Sequence, residues 1–261
     1  HAVTKLAHLH FVATEEFARR VRQMGEAPDR VHVVGAPAMD VIGELVPLSR
    51  EEVERDIGIS LGPTPIVVAY HPSTIVGEEP TDAVRAMLSA LCMIEGATLL
   101  CSLPNADPRF NEVKLEIERF VASTPNAHLL PSLGHRRYLS LVRHASCIVG
   151  NSSAGLIEAP VLGTPTVNVG QRQRGRPMAP SVVQAEATVG SVLHACRLAL
   201  SPDFGLMASV GDSPYYRGVS VASEIARILA DEDLTRLTRK VFVDLNVSSD
   251  TQTRFLEDPT A

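Results

Sequence analysis

The sequence predicts an α/β protein built on a Rossmann-like parallel sheet. Short runs rich in β-branched residues and leucine alternate with amphipathic helical segments along most of the chain. This alternation is typical of βαβ units, in which a right-handed crossover helix joins neighbouring parallel strands. With 261 residues, of which 45% are hydrophobic, the chain is long enough to bury both faces of such a sheet.

The predicted elements follow from local pattern. Short apolar runs bounded by polar turns predict strands over residues 9–12, 31–34, 66–70, 98–101, 128–130, 147–149 and 166–169. Apolar residues at helical spacing predict helices over residues 15–24, 82–94, 108–121, 136–144, 155–161 and 190–200. Between the second and third strands, Ser49 and Glu52 have the spacing of a capping box and predict the start of one further, acidic helix.

The order of these elements predicts three regions. Residues 1–42 carry too little strand and helix to close a sheet alone, so we expect them to be the end of an N-terminal Rossmann-like domain. A junction with prolines and glycines leads into residues 43–230, whose regular alternation predicts a second Rossmann-like domain. Residues 231–261 are polar and rich in turn-forming residues, which predicts a C-terminal extension that begins as a surface helix.

The composition argues against several classes of partner. The formal charge of −6 and the lack of a long basic block do not favour nucleic acid or an anionic membrane. No apolar run has transmembrane length, and the first residues lack a signal pattern, so we expect a cytoplasmic protein. The cysteines have no paired spacing and are predicted to be buried, reduced thiols; they are Cys92, Cys101, Cys147 and Cys196.

The sequence gives no indication of a metal or a cofactor. His8 and His10 form an H-x-H pair, but neither has a carboxylate or cysteine partner in register on the predicted strand. Metal binding at this pair is therefore not expected.

The turn Asn151-Ser152-Ser153 is a candidate phosphate site. An apolar strand precedes it and a helix follows, so backbone N–H groups and two hydroxyls point toward one place. Ligands of parallel sheets bind beyond the carboxyl ends of the strands, where this turn is expected. An ordinary helix N-cap explains the same residues equally well.

Glu158 and Arg172 extend this candidate site. Glu158 follows the turn within an apolar helix, where a charge is costly unless it is paired, and its carboxylate suits the two hydroxyls of a ribose. Arg172, Arg174 and Arg176 follow the next strand, and guanidinium groups suit diphosphate oxygens. Arg172 lies nearest the strand end and is the candidate. An exposed helix glutamate and solvated loop arginines are the alternatives.

His71 and Asn105 each follow another predicted strand at its carboxyl end. A histidine at that place would bind phosphate or transfer a proton near neutral pH, although a structural histidine fits the position as well. Asp107 precedes Pro108, a pair typical of an N-cap followed by proline at the first helical position. We therefore predict a structural role for Asp107.

Taken together and in order, these motifs resemble those of the UDP-N-acetylglucosamine 2-epimerase family. The matching segments are HAVTKLAHLHFVATEE, VGAPAMDVI, HPST, LPNAD, PSLGHRRYLSLVRHA, GNSSAGLIEAP, LGTPTVN and GQRQRGR, from His1 to about Arg176. The variants HP-x-T, GNSS and RQ-x-GR resemble the hydrolysing branch of the family.

The resemblance implies a two-domain fold like that of B-type glycosyltransferases, of which this chain would be the C-terminal portion. UDP would lie between two Rossmann-like halves. The implied reaction eliminates UDP from UDP-N-acetylglucosamine to give a 2-acetamidoglucal; water then adds to release N-acetylmannosamine for sialic acid synthesis. No cofactor is implied.

Matched residue by residue, the resemblance assigns the phosphates to Ser152 and Ser153, the ribose to Glu158 and the diphosphate to Arg172.

The remaining matched positions lie on other segments. His71, as the catalytic residue, and Asn105 would face the phosphates and the sugar, and Tyr138 would lie near the uracil. A UDP-sugar is thus the expected partner. The sequence does not determine the oligomeric state and allows a homodimer.

Two departures from the family pattern shape the expectation for this chain. The acidic residues to which the family's C2 proton transfer is attributed precede the HAVTK segment, and this chain starts at His1 without an initiator methionine. We therefore expect it to begin partway through a longer protein and, alone, to bind UDP without turnover.

The family's Y-G-D-G-N-A stretch is replaced by Tyr216-Arg217-Gly218-Val219-Ser220. A non-catalytic or partner-dependent nucleotide-sugar-binding subunit and a B-type glycosyltransferase are the alternatives.

Overall fold

The computed structural model describes residues 1–73, 79–105, 107–233, 235, 237 and 240–244. The chain divides into two compact units. The smaller unit combines His1–Ala36 with the described residues from Val219 onward, and the larger unit is Pro37–Gly218. The division thus falls after residues 36 and 218, whereas the sequence predicts boundaries after residues 42 and 230.

The secondary structure alternates along the chain. The strands are β1 (His10–Val12), β2 (Val31–Val33), β3 (Thr64–Ala69), β4 (Ala97–Ser102), β5 (Ala127–Leu130), β6 (Cys147–Gly150), β7 (Thr166–Val169) and β8 (Val182–Ala185). The helices are α1 (Ala2–Leu6), α2 (Glu15–Gln23), α3 (Ala38–Gly43), α4 (Arg50–Ile57), α5 (Pro80–Leu91), α6 (Phe110–Ser123), α7 (Gly134–His144), α8 (Ala154–Ile157), α9 (Val189–Ala199), α10 (Pro202–Ala208) and α11 (Val221–Asp231). A short 3-10 helix, Pro28–Arg30, precedes β2.

The larger unit contains a six-stranded sheet in the order β5-β4-β3-β6-β7-β8, and every paired strand in it is parallel. This confirms the predicted α/β class and the Rossmann-like parallel sheet. The strand β8 was not predicted, because its run Val182–Ala185 is short and contains a glutamine. The predicted capping box of α4 is present, with both the Ser49 and the Glu52 hydrogen bonds formed.

The sheet is buried on both faces, as expected for parallel strands covered by crossover helices. Alternate residues of β3 enter different hydrophobic clusters. Ile66 and Val68 belong to the cluster that contains α5, α6 and α9, whereas Val67 and Ala69 belong to the cluster that contains α4 and α7. The strands therefore read as continuous apolar runs, and the helices are fixed on both sides of the sheet.

The strand order reverses direction beside β3. From β3 the chain builds outward through β4 to β5, and it then returns to place β6 on the other side of β3. The register pairs Ala69 with Gly150, so β3 and β6 end side by side. A reversal of this kind leaves a crevice at the carboxyl ends of the two central strands, where open α/β sheets bind their ligands.

The smaller unit is organised around a buried carboxylate. Its strands β1 and β2 pair in parallel. Glu26 is 3% exposed and accepts hydrogen bonds from Lys5 (2.8 Å) and His10 (2.9 Å), with Lys240 Nζ at 2.8 Å. Burial alone would raise the pKa of Glu26, but these three donors outweigh it and lower the pKa to about 2. The expectation that His10 has no carboxylate partner is therefore wrong, because Glu26 reaches it from outside the strand.

The C-terminal residues contribute to this unit. Lys240 also donates to the backbone oxygens of Thr4 and Ala7, and Glu232 pairs with Arg30. The predicted polar extension over residues 231–261 thus supplies at least two of the polar contacts of the smaller unit. Residues 245–261 of that extension lie outside the described part of the chain.

The cysteines differ from expectation at one position. Cys101, Cys147 and Cys196 are buried free thiols, but Cys92 is exposed, because it lies at the C-cap of α5, where the helix leaves the core. In the part of the chain that the structure describes, each helix is too short or too polar to cross a membrane.

Candidate functional site

A cavity of about 710 Å³ opens in the larger unit at the carboxyl ends of its central strands. Residues that follow β3, β4, β5 and β6 contribute to its wall, together with α7 and α8. Among the residues singled out from the sequence, the wall includes His71, Asn105, Tyr138, Ser152, Ser153 and Glu158. Side chains distant in sequence thus meet at the reversal of the strand order.

Gly150 shapes the turn that carries the two serines. Its φ is 146°, and a Cβ atom there would lie 2.0 Å from the backbone oxygen of Ala69. A residue with a side chain therefore cannot hold this backbone, and glycine lets β6 end close against β3. The N–H groups of Asn151 and Ser152 both donate to that same oxygen of Ala69, at 3.1 and 3.2 Å.

The phosphate turn differs in detail from the sequence expectation. Because the N–H groups of Asn151 and Ser152 are already paired within the sheet edge, they are not free for a ligand. Ser152 accepts a long hydrogen bond from the N–H of Ala154 (3.4 Å), and the side chain of Ser153 makes no capping bond. Both side chains remain on the cavity wall. The donors offered there are chiefly the serine hydroxyls.

The helix after the turn is shorter than predicted. The apolar run predicts a helix over residues 155–161, whereas α8 covers Ala154–Ile157 and continues as turns to residue 163. Pro160 explains the early end, because it lacks an N–H group and cannot donate to the preceding turn. Glu158 therefore lies at the C-cap of α8 and not within it.

Asn151 joins the loops of three strands, a role that the sequence analysis missed. Its Oδ1 accepts from the N–H of His71 (2.7 Å), and its Nδ2 donates to the oxygen of His71 (2.8 Å). Its own backbone oxygen accepts from Arg172 (3.1 Å) and from the buried Gln173 (2.7 Å). The side chain is 1% exposed. A buried asparagine directly after an apolar strand is the signal that would have indicated this pairing.

His71 is held in one tautomer. The N–H of Asn105 donates to Nδ1 of His71 at 3.1 Å, so the neutral ring carries its proton on Nε2. The ring is 7% exposed, and burial lowers the pKa of His71, with a further contribution from Arg172 and an opposing one from Asp107. The neutral ring is therefore favoured near neutral pH. At the cavity wall, the Nε2–H group is a hydrogen-bond donor.

Asn105 contributes through its backbone as well as its position on the cavity wall. The residue is exposed, and its N–H group orients His71, which the sequence analysis did not foresee.

Glu158 and Tyr138 form a second group on the wall. Burial raises the pKa of the Glu158 carboxyl group, and the electrostatic effect of the neighbouring His135 opposes that shift. Burial and the nearby Glu158 raise the pKa of the Tyr138 phenol well above its ordinary value. The phenol is therefore a donor over the whole physiological range, while Glu158 offers acceptor oxygens. Glu158 is partly buried, so it is not the exposed helix glutamate that the sequence left as an alternative.

Arg172 is not among the residues that line the cavity. Its Nη2 atom lies 3.7 Å from Oδ2 of Asp107, while Arg174 and Arg176 are exposed. The predicted N-cap role of Asp107 is wrong. The helix α6 begins at Phe110, and its N-cap is Arg109, whose φ of 66° is left-handed. The Asp107 carboxylate is consequently left facing Arg172.

Comparison with known proteins identifies the family. A statistical model of the UDP-N-acetylglucosamine 2-epimerase family matches residues 1–230. The chain belongs to this family. The resemblance indicated by the motifs is thereby confirmed, and the family match continues beyond the last of them at Arg176.

Curated members of the epimerase family share about three residues in ten with this chain. The GDP/UDP-N,N'-diacetylbacillosamine 2-epimerase (hydrolyzing) of Campylobacter jejuni subsp. jejuni serotype O:2 is 30% identical over 187 residues, which cover 71% of this chain and 49% of that protein. The UDP-N-acetylglucosamine 2-epimerase of Neisseria meningitidis serogroup B is 29% identical over 250 residues, which cover 95% of this chain and 64% of that protein.

Solved structures of epimerases share the fold. The Neisseria meningitidis UDP-N-acetylglucosamine 2-epimerase bound to UDP-N-acetylglucosamine aligns with a TM-score of 0.71 at 18% identity, over 87% of this chain and 63% of that one. The chain thus spans about half to two thirds of the length of these three relatives.

Proposed function

We propose that this chain is the UDP-binding part of a hydrolysing UDP-N-acetylglucosamine 2-epimerase. The observation that carries the proposal is the cavity at the strand reversal of an epimerase-family chain, where a neutral histidine, serine hydroxyls, a phenol and a carboxylate meet. Donors suited to phosphate and an acceptor suited to ribose are thereby combined in one site. UDP stands in the names of both relatives, with GDP beside it in one of them, and this supports the choice of UDP.

The binding roles follow from the chemistry of each group. Phosphate oxygens accept hydrogen bonds, so the hydroxyls of Ser152 and Ser153 and the Nε2–H of His71 are placed to donate to them. Ribose hydroxyls donate, so the carboxylate of Glu158 is placed to accept from them. Tyr138 packs its ring against the nucleoside beside Glu158.

The reaction proposed is an elimination followed by hydration. The bond between C1 of the sugar and the diphosphate oxygen breaks as a proton leaves C2, which gives UDP and 2-acetamidoglucal. Hydrogen bonds from His71 and the serines stabilise the negative charge that develops on the departing diphosphate. Water then adds across the double bond and releases N-acetylmannosamine. Because the chain spans only part of its relatives' length, we assign removal of the C2 proton to residues outside it.

Calorimetry with UDP tests the site. Glu158→Ala and Arg172→Ala should each weaken binding by about 1–3 kcal/mol, the range for hydrogen bonds to charged groups. Arg174→Ala, an exposed arginine of the same loop, and Glu118→Ala on α6 are the matched controls and should bind like the parent. If the Glu158 and Arg172 variants also bind UDP like the parent, the assignment of the site is wrong.

A second measurement tests the partial role and the sugar. The 261-residue chain should bind UDP without releasing N-acetylmannosamine from UDP-N-acetylglucosamine. Release of that sugar would contradict the assignment of C2 proton removal to residues outside the chain. Competition between UDP-N-acetylglucosamine and UDP-N,N'-diacetylbacillosamine for the UDP site then compares the two sugars. Tighter binding of the diacetylated sugar would move the proposal to that substrate.

A further inference from the structure

Asp107 and Arg172 form an ion pair near His71, a residue of the cavity wall, in an arrangement that neither motif indicates. The two outer nitrogen atoms of the Arg172 guanidinium group have different partners. Its Nη1 donates to the backbone oxygen of the buried Asn151 (3.1 Å), whereas its Nη2 lies 3.7 Å from the carboxylate of Asp107. The side chains of Arg172 and Asp107 are 28% and 40% exposed, so solvent reaches this ion pair.

The carboxylate of Asp107 is not engaged in building the helix that follows. The N-cap position of α6 is Arg109, whose side chain makes no capping hydrogen bond, and the hydrogen bonds of the Asp107 backbone, to Asn105 and from Phe110, use no side-chain atom. Its carboxylate also acts on the electrostatics of His71, since it opposes the effect of Arg172 on that ring. Asp107 thus acts electrostatically on both Arg172 and His71.

We propose that Asp107 is the resting counter-ion of Arg172 and that the diphosphate of a bound nucleotide takes its place. This inference rests on the proposed function, because it assigns Arg172 to the diphosphate. Carboxylate and phosphate oxygens both accept from guanidinium N–H groups, so a diphosphate on the outer side of Arg172 competes with Asp107 for the same positive charge. Arg172 stays anchored through Nη1 to Asn151, while its outer N–H groups turn from Asp107 to the diphosphate.

Displacement of Asp107 by the diphosphate agrees with the exposure and the charge of this ion pair. The partly exposed Asp107 can return to water when it is displaced, so no unpaired charge is left buried. In the unliganded site it neutralises Arg172, and in the liganded site it competes with the diphosphate. Asp107 therefore limits the affinity for UDP and promotes its release. Such a limit is useful where UDP is a product that must leave the site.

The test compares Asp107→Asn with the parent by calorimetry. We expect Asp107→Asn to bind UDP about two- to fivefold more tightly at low ionic strength, the range that corresponds to an exposed ion pair. The gain should shrink as salt screens the parent's carboxylate. Asp56→Asn is the matched control, because Asp56 lies 4.0 Å from Arg137 with a similar exposure of 43%, away from the cavity wall. It removes the same charge and should leave UDP affinity unchanged.

The Arg172→Met background separates exchange at the arginine from a general charge effect. In that background Asp107→Asn should no longer tighten binding. The proposal would be overturned if Asp107→Asn bound UDP more weakly than the parent. It would also be overturned if Asp107→Asn raised the affinity for UDP equally with and without Arg172.

Inorganic pyrophosphate, as a second probe, separates this inference from the proposed function. If the parent protein binds pyrophosphate but not UDP, the proposed function is contradicted. If Asp107→Asn raises the affinity for pyrophosphate only when Arg172 is present, the exchange of Asp107 for the diphosphate is upheld. No change in pyrophosphate affinity on Asp107→Asn would overturn it.

Discussion

At the scale of single residues, Glu158 illustrates the conflict between stability and binding. Burial in the cavity wall raises the pKa of its carboxyl group, so the ionised form is less favourable in the folded than in the unfolded chain. Above the unfolded pKa of a glutamate, about 4.3, the unfolded state has lost this proton more completely. The cost to folding therefore appears as the pH rises from that value and is full above the raised pKa of Glu158.

We predict that Glu158→Gln raises the free energy of unfolding near pH 7, because the amide removes the cost of ionising a buried carboxyl group. The gain should vanish at about pH 4, where the parent's Glu158 is largely protonated in both states. The same variant should bind UDP more weakly at neutral pH. Urea unfolding followed by far-UV circular dichroism at the two pH values measures the first effect.

Glu118→Gln, on α6, controls for the loss of one negative charge. Equal stability changes for Glu118→Gln and Glu158→Gln near pH 7 would contradict a role for burial.

The sequence predicts the positions of most candidate residues on the cavity wall better than it predicts their contacts. The residues that follow β3, β4 and β6 could be predicted at the cavity, because the carboxyl ends of parallel strands share one edge. Side-chain partners depend on local backbone angles that composition does not reveal. The left-handed Arg109 moves the start of α6 past Asp107 and turns a predicted cap into a partner of Arg172. The two-point pairing of Asn151 with His71 needed the register of β3 and β6.

At the scale of elements, the junction of β6 with its turn depends on Gly150. Its positive φ and the close oxygen of Ala69 make this a position where only glycine fits. The junction in turn orients Asn151, whose amide holds the backbone of His71. One glycine therefore supports the geometry of two loops that line the cavity.

We predict that Gly150→Ala lowers the free energy of unfolding by about 1–3 kcal/mol, the cost of one strained backbone position, and weakens UDP binding as well. Gly190→Ala is the matched control. Gly190 lies in α9, and a Cβ atom added to it would meet nothing within 4 Å, so that substitution should stabilise by about 0.5–1 kcal/mol. Urea unfolding measures both variants, and a stable Gly150→Ala protein with normal UDP affinity would refute the role of this junction.

At the scale of the whole molecule, the described C-terminal residues belong to the same unit as the first 36. The family match ends at residue 230, yet Lys240 reaches the buried Glu26 and three backbone oxygens at the end of α1. The hydrophobic pattern could not predict this association, because Lys240 and Glu232, which make polar contacts to the first 36 residues, lie in a polar segment.

The stability that Glu26 supplies should depend on pH in the acid range. Its pKa in the folded chain is about 2, below that of an unfolded glutamate, so its contribution is present above about pH 4.3 and is lost as the pH falls toward 2.

Lys240→Met tests how far the smaller unit depends on this contact. Loss of one charged hydrogen bond to a buried carboxylate, with Lys5 and His10 remaining, should cost about 1–3 kcal/mol. Hydrogen exchange over residues 1–12 should accelerate accordingly at neutral pH, because α1 and β1 lose the cation that joins Glu26 to the backbone oxygens. Lys114→Met removes an exposed pair with Glu118 at 3.7 Å and should change protection little. Unaltered exchange in the Lys240 variant would mean that Lys5 and His10 suffice to hold Glu26, and that the Lys240 contacts add no stability to the unit.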